Sequence, residues 1–492
     1  MQILADSLAK NIASVTATKI KMLFEEWRTL YGQVADLSIE QTASINSALR
    51  FHWNGGDDSK MSGRLFVIHT YNSFIIKLLA AEIVSAHNLT SKVSPAQEMA
   101  VLLDADSLLS QLASDIESGQ IFAEAGINGF VEEAIFSWYI DACDDSVVKT
   151  EIVVAIRQLL TKLSLYRTDR MSRTRDVLRD FYQDLVPETL RKSLGEFYTP
   201  DWLVEYTVDK AYQANFLDIR ALDPTCGSGA FLIELIRRKR KDANVAKLSS
   251  SDTVRMLCQS VWGFDLNPLA VQTARVNFLM EIADLLQSSP GQQIEIPILL
   301  ADAIYSPARN PKDNEDVVSY QIGSQVARLD IKLPATLAFN RERLDRVFEV
   351  MGDCVDDDKD YQIVNGELQG ADLLSAEESI EWESPLKETY NQVLDLHRKN
   401  WNGIWFRIVR NFFWSATAGE FDLVIGNPPW VRWSKLPEAY RVGVKPTCEN
   451  YDIFSDTPFH GGNELDISAM ITYTTADKWL KLSGRTAFVI TQ

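Results

Sequence analysis

The residues with the clearest chemical potential follow a short apolar run near the carboxyl end of the chain: Asn427, Pro428, Pro429 and Trp430. The asparagine offers an amide oxygen as a hydrogen-bond acceptor. The prolines stiffen the loop and remove two backbone donors, which leaves carbonyl oxygens free to accept. Such acceptors can hold an amino group by both of its hydrogens, and the indole gives a planar base a face for stacking. The alternative is a rigid Pro-Pro turn with a packed tryptophan.

A glycine-rich turn lies about two hundred residues earlier and runs through Asp223, Thr225, Cys226, Gly227 and Gly229. It follows a short apolar run and opens a helical pattern. Glycines let the backbone turn tightly and approach a ligand, and the N-terminus of the helix favours a negative group such as a carboxylate. Taken alone, the pattern also fits a tight strand–helix turn without a ligand.

Two further aspartates close predicted strands. Asp265 precedes Leu266, Asn267 and Pro268, and Asp302 lies in Ala301-Asp302-Ala303. A carboxylate at the end of a second strand can accept both hydroxyls of a ribose, although Asp265 can also cap the next helix. Asp302 can bind the exocyclic amine of an adenine or cap a loop. Because ligands of open α/β sheets bind at the carboxyl ends of the strands, the three ends together indicate one nucleotide site.

These motifs require a parallel sheet. From about Leu194, short apolar runs alternate with helical stretches, which is typical of an α/β fold. The predicted strands cover residues 221–222, 260–264, 296–300, 423–425 and 486–490. Residues 1 to about 190 have helical periodicity, as in 152–165 and 175–185. The stretch 306–420 is acidic in its middle and is predicted to be a solvated insertion; a nuclease site at Asp358-Lys359 is the poorer interpretation, since no strand precedes it.

Upstream of the sheet, the run from Leu194 to Pro200 contains Gly195, Phe197, Tyr198 and Thr199. Thr199 is expected to be the N-cap of a helix and Pro200 its first residue. Capping accounts for these two residues and leaves the glycine and the aromatic pair before them unexplained.

Composition limits the possible functions. The 492 residues carry a net charge of −19, so a surface that grips DNA must be confined to a basic patch or lie on another chain. The five cysteines form no CxxC pair, which indicates neither a disulfide framework nor a zinc site, and no metal is expected.

The apolar run 66–86 contains Lys77 and Glu82 and is therefore predicted to be a buried helix and not a membrane span. Without a recognisable signal peptide, a cytoplasmic protein without membrane contact is expected.

In this order, the motifs resemble those of gamma-type N6-adenine DNA methyltransferases. They are most similar to the modification subunits of type I and type IIG restriction–modification systems and to phage-defence methyltransferases of the BREX or DISARM kind. The resemblance covers roughly residues 150 to 492, and residues 1 to 150 resemble that family's helical leader only vaguely.

The resemblance implies an α/β fold, in which residues 191–492 form the Rossmann-like sheet of a class I methyltransferase that uses S-adenosylmethionine, preceded by an α-helical N-terminal domain (1–190). It implies that the methionine part of the cofactor is bordered by Phe197, Tyr198, Thr199 and Pro200, and its amino-acid and sulfonium region by Asp223, Thr225, Gly227 and Gly229. Asp265, beside Leu266 in the same cofactor-binding turn, takes the ribose hydroxyls, and Asp302 takes the cofactor adenine. The catalytic loop binds the target amine through Asn427 and the Pro428 carbonyl, is stiffened by Pro429, and stacks Trp430 on the base.

The implied reaction is site-specific methyl transfer to an adenine flipped out of duplex DNA, without a covalent enzyme intermediate. Cys226 is then a small packed residue. Two further strands and a target-recognition domain are expected beyond Thr486–Ile490, so a specificity, nuclease/helicase or sheet-completing subunit is an expected partner. Basic residues next to the catalytic loop (Arg432, Lys435, Arg441 and Lys445) are better candidates for DNA contact than the arginines between 167 and 179.

Two rival interpretations remain open. The first is methylation of a protein glutamine or of an adenine in RNA, since protein-glutamine enzymes share an Asn-Pro-Pro-aromatic loop. The second is a non-catalytic DNA-binding scaffold that keeps the fold.

Overall fold

The computed structural model describes residues 1–14, 19–30, 45, 47–49, 51–131, 134–165, 178, 186, 188, 191, 198–304, 317–323, 328–338, 340–398, 414–415, 418–436, 438–454 and 465–490. Helices dominate the part before residue 164: α1 (Gln2–Ala13), α2 (Lys19–Leu30), α3 (Lys60–Ala86), α4 (Pro95–Ala100), α5 (Ala105–Gln111), α6 (Gln120–Glu124), α7 (Trp138–Asp141) and α8 (Ser146–Leu163). The predicted helix 175–185 lies outside the described residues, apart from Leu178.

The centre of the helical part is α3. In this helix the apolar residues surround the whole circumference, which is typical of a buried helix. It is long and apolar enough to cross a membrane, but 89% of its most apolar window is buried inside the protein, as predicted for residues 66–86. Phe66 stacks on Trp138 of α7 with ring centroids 5.9 Å apart, so aromatic packing fixes the middle of α3.

After this come α9 (Asp201–Ala211) and a sheet of five parallel strands in the order β5-β3-β2-β8-β9. The strands are β2 (Ala221–Asp223), β3 (Val261–Asp265), β5 (Ile298–Leu300), β8 (Phe421–Gly426) and β9 (Leu480–Phe488). A second, two-stranded parallel sheet pairs β1 (Ile127–Asn128) with β4 (Ile294–Glu295). The prediction of a parallel α/β sheet is therefore confirmed.

The connections are helices, as parallel strands require. Between β2 and β3 lie α10 (Ala230–Val245) and α11 (Ser250–Ser260), and β3 is followed by α12 (Pro268–Gln287). Between β8 and β9 lie α18 (Glu438–Asn450) and α19 (Ile467–Trp479). Helix α12 packs against α3, and one continuous apolar core contains both Phe66 and Phe278. The helical part and the sheet are therefore joined by burial of apolar surface.

Four of the predicted strands have other bounds in the structure. β3 begins and ends one residue later, β5 begins at Ile298, and β8 extends further in both directions, over Phe421–Gly426. β9 begins at Leu480 instead of Thr486 because its register to β8 shifts by a bulge between Phe421 and Leu423, which lets Leu480 pair with Phe421.

Residues 317–398 lie between β5 and β8 and have a core of their own. An antiparallel hairpin of β6 (Val317–Gly323) and β7 (Arg328–Pro334) leads into α13 (Ala335–Ala338), α14 (Arg341–Asp356), α15 (Tyr361–Gly370), α16 (Ala376–Glu381) and α17 (Glu383–Arg398). Its buried side chains, among them Phe348, Met351 and Tyr390, form a cluster separate from the core of the sheet. Asp358 pairs with Arg398 and Lys359 with Asp357 and Glu367, so the charges of the Asp358-Lys359 motif hold helices together.

Candidate active site

The carboxyl ends of β2, β3 and β8 meet at one edge of the sheet. Leu222 is in register with Val424, which brings the end of β2 next to the end of β8. At Gly426, a Cβ atom would lie 2.5 Å from the nearer carboxylate oxygen of Asp223. Only glycine therefore allows the loop that begins at Asn427 to leave the sheet directly beside the Asp223 carboxylate. Sequence reasoning missed Gly426, although its position before Asn427 was a signal.

The glycine-rich turn after β2 takes the conformation that its sequence requires. Gly227 and Gly229 have φ angles of +55° and +91°, where other residues are strained. The turn is fixed to β3 because the Cys226 amide donates to the Phe264 carbonyl at 2.8 Å. No atom of the described residues lies within 4 Å of a Cβ placed at Gly227, so the backbone of this turn borders open space.

Asp265 ends β3 beneath this turn. One carboxylate oxygen accepts from the Gly227 amide and the other from the Asn267 amide, both at 2.8 Å. The side chain of Asn267 accepts from the Leu269 amide and so caps α12. The helix cap considered for Asp265 is therefore supplied by Asn267. Burial raises the pKa of Asp265, while the backbone donors of Asn267, Gly227 and Leu266 act in the opposite direction. The carboxylate is therefore held in place at the end of β3.

Asp223 is 1% exposed, and its carboxylate accepts from the Thr225 amide at 3.1 Å. Burial raises its pKa well above the usual range, and the nearby Asp265 carboxylate adds to this shift. The hydroxyl of Thr225 is buried and has no hydrogen-bond partner among the described residues. Two carboxyl groups and an unsatisfied hydroxyl therefore surround the glycine turn, an arrangement that favours a ligand with donor groups.

The catalytic-loop candidate Asn427 is half-buried, and its two amide atoms differ sharply in their surroundings. The nitrogen Nδ2 donates to the Thr199 hydroxyl at 3.1 Å. The oxygen Oδ1 is buried and meets no donor in the described part of the chain. A buried acceptor without a donor costs roughly 1–3 kcal/mol, so its retention at this edge indicates that a ligand supplies the missing donor.

Trp430 lies at the end of the same loop. Its indole Nε1 donates to the Val489 carbonyl at 3.2 Å, and the Val489 amide donates to the Gly426 carbonyl at 3.0 Å. Both ends of the loop are thus tied to the residue that follows β9. Beyond it, Arg432 pairs with Asp466 in an antiparallel bridge. Pro428 is buried and Pro429 half-buried between these two fixed points.

Asp302 follows β5 and is 6% exposed. Its carboxylate accepts from the Ile304 amide at 2.8 Å, which is the loop cap anticipated as an alternative role, and also from the hydroxyl of Tyr440 on α18. Lys478 of α19 donates to the Ile304 carbonyl at 2.8 Å; burial lowers its pKa to about 8, and the charge of Asp302 opposes this shift. The structure therefore joins Asp302 to the helices after the catalytic loop. Nothing in the helical periodicity of Tyr440 or Lys478 marked them out.

The other predicted residues are distributed as follows. Tyr198 is half-buried and its ring lies 5.9 Å from the guanidinium of Arg191, while Pro200 is exposed. Phe197 lies outside the described residues, as do the arginines between 167 and 179 and the motif residue Gly195. Among the basic residues after the loop, Arg432, Lys435 and Lys445 are exposed and Arg441 is half-buried.

A cavity of about 870 Å³ lies at the opposite, amino end of the sheet, away from these motifs. Its wall includes Arg220, whose side chain donates to the carbonyls of Gln259, Ala418 and Glu420. This guanidinium also lies 4.6 Å from the ring centroid of Phe421. Its contacts tie the starts of several strands together, which is a structural task.

Two protein-family models match the chain. The model described as N-6 DNA Methylase matches residues 173–319, and the model described as Eco57I restriction-modification methylase matches residues 259–490. A stretch of 110 residues is 34% identical to the adenine-specific methyltransferase PglX of Streptomyces coelicolor, and covers 21% of this chain and 9% of that relative.

The solved structures that match the chain have low sequence identity and low TM-scores. The ATP-dependent Type ISP restriction-modification enzyme LlaBIII bound to DNA is 13% identical with a TM-score of 0.37, over 97% of this chain and 24% of that one. The DrdV–DNA complex is 14% identical with a TM-score of 0.36, over 91% of this chain and 36% of the other. The chain thus spans about a third or less of the length of these relatives.

The two family matches together extend from residue 173 to residue 490 and contain the glycine turn, all three aspartates and the candidate catalytic loop. This part of the chain is therefore similar in sequence to N-6 DNA methylases and to restriction-modification methylases.

Proposed function

We propose that the protein transfers a methyl group from S-adenosylmethionine to the N6 amine of an adenine flipped out of duplex DNA. The observation that carries this proposal is the buried Oδ1 of Asn427, which has no donor among the described residues and lies at the same sheet edge as Asp223 and Asp265. An amino group is the donor that this oxygen lacks. The position of this acceptor beside the two carboxyl groups favours a catalytic role over that of a scaffold.

Several features of the edge fit S-adenosylmethionine. The open space above Gly227 and the unpartnered Thr225 hydroxyl can receive the amino-acid part, whose carboxylate the N-terminus of α10 favours. Asp265, which the Gly227 and Asn267 amides hold in place, accepts from the ribose hydroxyls. When bound, this cofactor supplies an electrophilic methyl group on a sulfonium.

The protein's own task is to make the target amine nucleophilic. The lone pair of an adenine amine is delocalised into the ring. Asn427 Oδ1 and the Pro428 carbonyl accept its two hydrogens and draw the nitrogen towards tetrahedral geometry, which returns the lone pair to the nitrogen. Holding the amine in line with the methyl group then supplies a large part of the rate enhancement through orientation.

In this proposal Trp430 stacks on the base. Its Nε1 donates to the Val489 carbonyl at 3.2 Å, which fixes the edge of the indole. A base that has left the duplex loses its stacking partners, and an aromatic face returns about 1–3 kcal/mol of that stacking energy.

The wider organisation follows the same proposal. Residues 191–492 form a Rossmann-like catalytic domain of class I, with 306–420 as an insertion, and residues 1–190 form a helical domain. The phosphate backbone of the DNA contacts the exposed Arg432, Lys435 and Lys445, together with Arg441. The protein acts in the cytoplasm of a cell with a restriction–modification or phage-defence system, and a specificity or nuclease/helicase subunit assists in DNA reading.

Asn427→Ala tests the central role. We expect it to lower the single-turnover rate of DNA methylation by about 100- to 1,000-fold, since one group that acts mainly in the transition state is lost. The dissociation constant of S-adenosylmethionine should stay within about threefold. The matched control is Asn450→Ala, at an exposed asparagine of α18. The complete protein, expressed with its native partners, is assayed by mass spectrometry of N6-methyladenine and by calorimetry.

Labelled methyl transfer to DNA, RNA and protein separates the rival substrates. The proposal predicts label in DNA alone. Label in protein or RNA with unlabelled DNA would refute it, and a wild-type rate in Asn427→Ala would remove the role assigned to this residue.

A further inference from the structure

Thr199 connects the segment before α9 to the catalytic loop, 228 residues further along the chain. Its side chain is buried, with 7% exposed. The sequence predicted Thr199 as the N-cap of this helix, but the helix begins at Asp201, its N-cap is Pro200, and no side chain makes a capping bond there. The Thr199 hydroxyl is therefore not used for capping and accepts from Asn427 Nδ2 at 3.1 Å.

The orientation of the Asn427 amide decides whether the loop can accept a hydrogen. The two ends of an amide have nearly the same shape, but the oxygen accepts and the nitrogen donates. With Nδ2 bound to Thr199, Oδ1 takes the other direction, where it lies buried and lacks a donor within the described residues. Turned by half a rotation, Asn427 would present two N–H donors to an amine that offers only hydrogens.

We propose that Thr199 is a positioning residue: its hydroxyl holds one end of the Asn427 amide, so that the side chain keeps the rotamer whose other end faces the target amine. A target amine offers only hydrogens, so with the amine in place Oδ1 faces it and Nδ2 donates to the Thr199 hydroxyl. This role rests on the function proposed above and adds to any contact of Thr199 with the cofactor. Without the hydroxyl, Nδ2 would remain buried without its acceptor. Rotamers that return this nitrogen to water or to another carbonyl would then compete with the productive one.

Thr199→Val keeps the shape of the side chain and removes the hydroxyl. Thr199→Ser keeps the hydroxyl and removes a methyl group. Thr207→Val is the matched control, because Thr207 lies on α9, the helix that follows Thr199, and its hydroxyl donates to the backbone carbonyl of Leu203 at 2.7 Å. All three variants are made in the complete protein with its native partners.

Two quantities separate positioning from cofactor binding: the single-turnover methylation rate at saturating S-adenosylmethionine and the dissociation constant of S-adenosylmethionine. We expect Thr199→Val to lower the rate by about tenfold, the effect of one lost hydrogen bond in the transition state, and to change the dissociation constant by less than about twofold. Thr199→Ser should recover the rate to within about threefold, and Thr207→Val should leave both quantities unchanged.

Three results would overturn the proposal: a wild-type rate in Thr199→Val, a loss confined to the dissociation constant, or a loss that Thr199→Ser fails to restore. The outcome is separable from the function itself. If the wild-type protein methylates DNA and Asn427→Ala does not, while Thr199→Val is fully active, only the positioning role fails. If the wild-type protein leaves DNA unmethylated, the proposed function fails and this inference with it.

Discussion

Two buried polar clusters differ in how completely they satisfy themselves. In the helical part, Lys77 forms an ion pair with Glu117, and Tyr139 donates to the other carboxylate oxygen at 2.7 Å; the ion-paired side chains are 2% and 5% exposed. At the sheet edge, Asp223 and Asp265 bring two carboxyl groups together, and burial raises the pKa of both. The first cluster balances its charges internally, whereas the second has acceptors in excess.

This difference indicates which cluster is structural and which binds ligands. Buried groups that are fully paired hold a core in one arrangement. Buried groups kept without partners cost stability, and such a cost is typical of sites where a ligand or a reaction uses them. The unpartnered Asn427 Oδ1 and Thr225 Oγ1 belong to the second cluster.

Lys77→Met should have the largest effect on stability. It leaves the Glu117 carboxylate buried without its cation, and breaking one side of a buried ion pair costs about 3–5 kcal/mol. Urea unfolding followed by circular dichroism measures this loss. Lys241→Met, at an exposed lysine of α10, serves as control and should lie within about 0.5 kcal/mol of wild type. Adding Glu117→Gln to Lys77→Met should recover part of the loss; a loss below about 1 kcal/mol in the single variant would show that the cluster is not the structural one.

Asp265→Asn should separate binding from stability. The amide loses the charge-assisted acceptance of ribose hydroxyls, so the dissociation constant of S-adenosylmethionine should rise about 10- to 100-fold, equivalent to about 1.5–3 kcal/mol. The ligand-free protein should change in stability by no more than about 1 kcal/mol at neutral pH, because the removal of a buried charge offsets the loss of the hydrogen bond from the Gly227 or the Asn267 amide. Calorimetry and urea unfolding measure both, with the exposed Asp395→Asn as control.

The pH dependence of the same variant follows from the direction of the shift. Because the folded-state pKa of Asp265 is raised, the folded protein binds this proton more tightly than the unfolded chain does. The destabilisation by the buried Asp265 charge is fully present above the raised pKa. It disappears as the pH falls through this pKa towards the ordinary aspartate pKa of about 3.9. As the pH falls, the free energy of unfolding of the wild type should therefore rise relative to that of Asp265→Asn. A difference between the two that stays constant with pH would contradict the cost assigned to burial of the Asp265 charge.

The sequence predicted the ligand-binding cluster better than the connections that support it. Asp223 and Asp265 were recognisable because glycine, proline and strand periodicity act over short distances. The bond from Asn427 to Thr199 joins residues 228 apart, and the contact of Asp302 with Tyr440 depends on how α18 packs. No local pattern encodes such contacts. Even the start of α9 lies one residue later than predicted, at Asp201 instead of Pro200. The Thr199 hydroxyl is therefore not a helix cap and is available to Asn427.

The smallest effect is expected at a second buried asparagine, Asn72 of α3. It is fully buried, and neither its amide oxygen nor its amide nitrogen has a partner within the described residues. Unlike Asn427, it lies in the helical part and away from the sheet edge. If orphaned atoms matter only where a ligand uses them, Asn72→Leu should change the free energy of unfolding by no more than about 1 kcal/mol, towards higher stability, and leave the methylation rate unchanged. The identical change Asn427→Leu should abolish methylation, because it removes the acceptor for the target amine. Urea unfolding and the single-turnover assay on both variants make the comparison. A loss of methylation in Asn72→Leu without a loss of stability would mean that unsatisfied polar atoms in the helical part also serve the reaction.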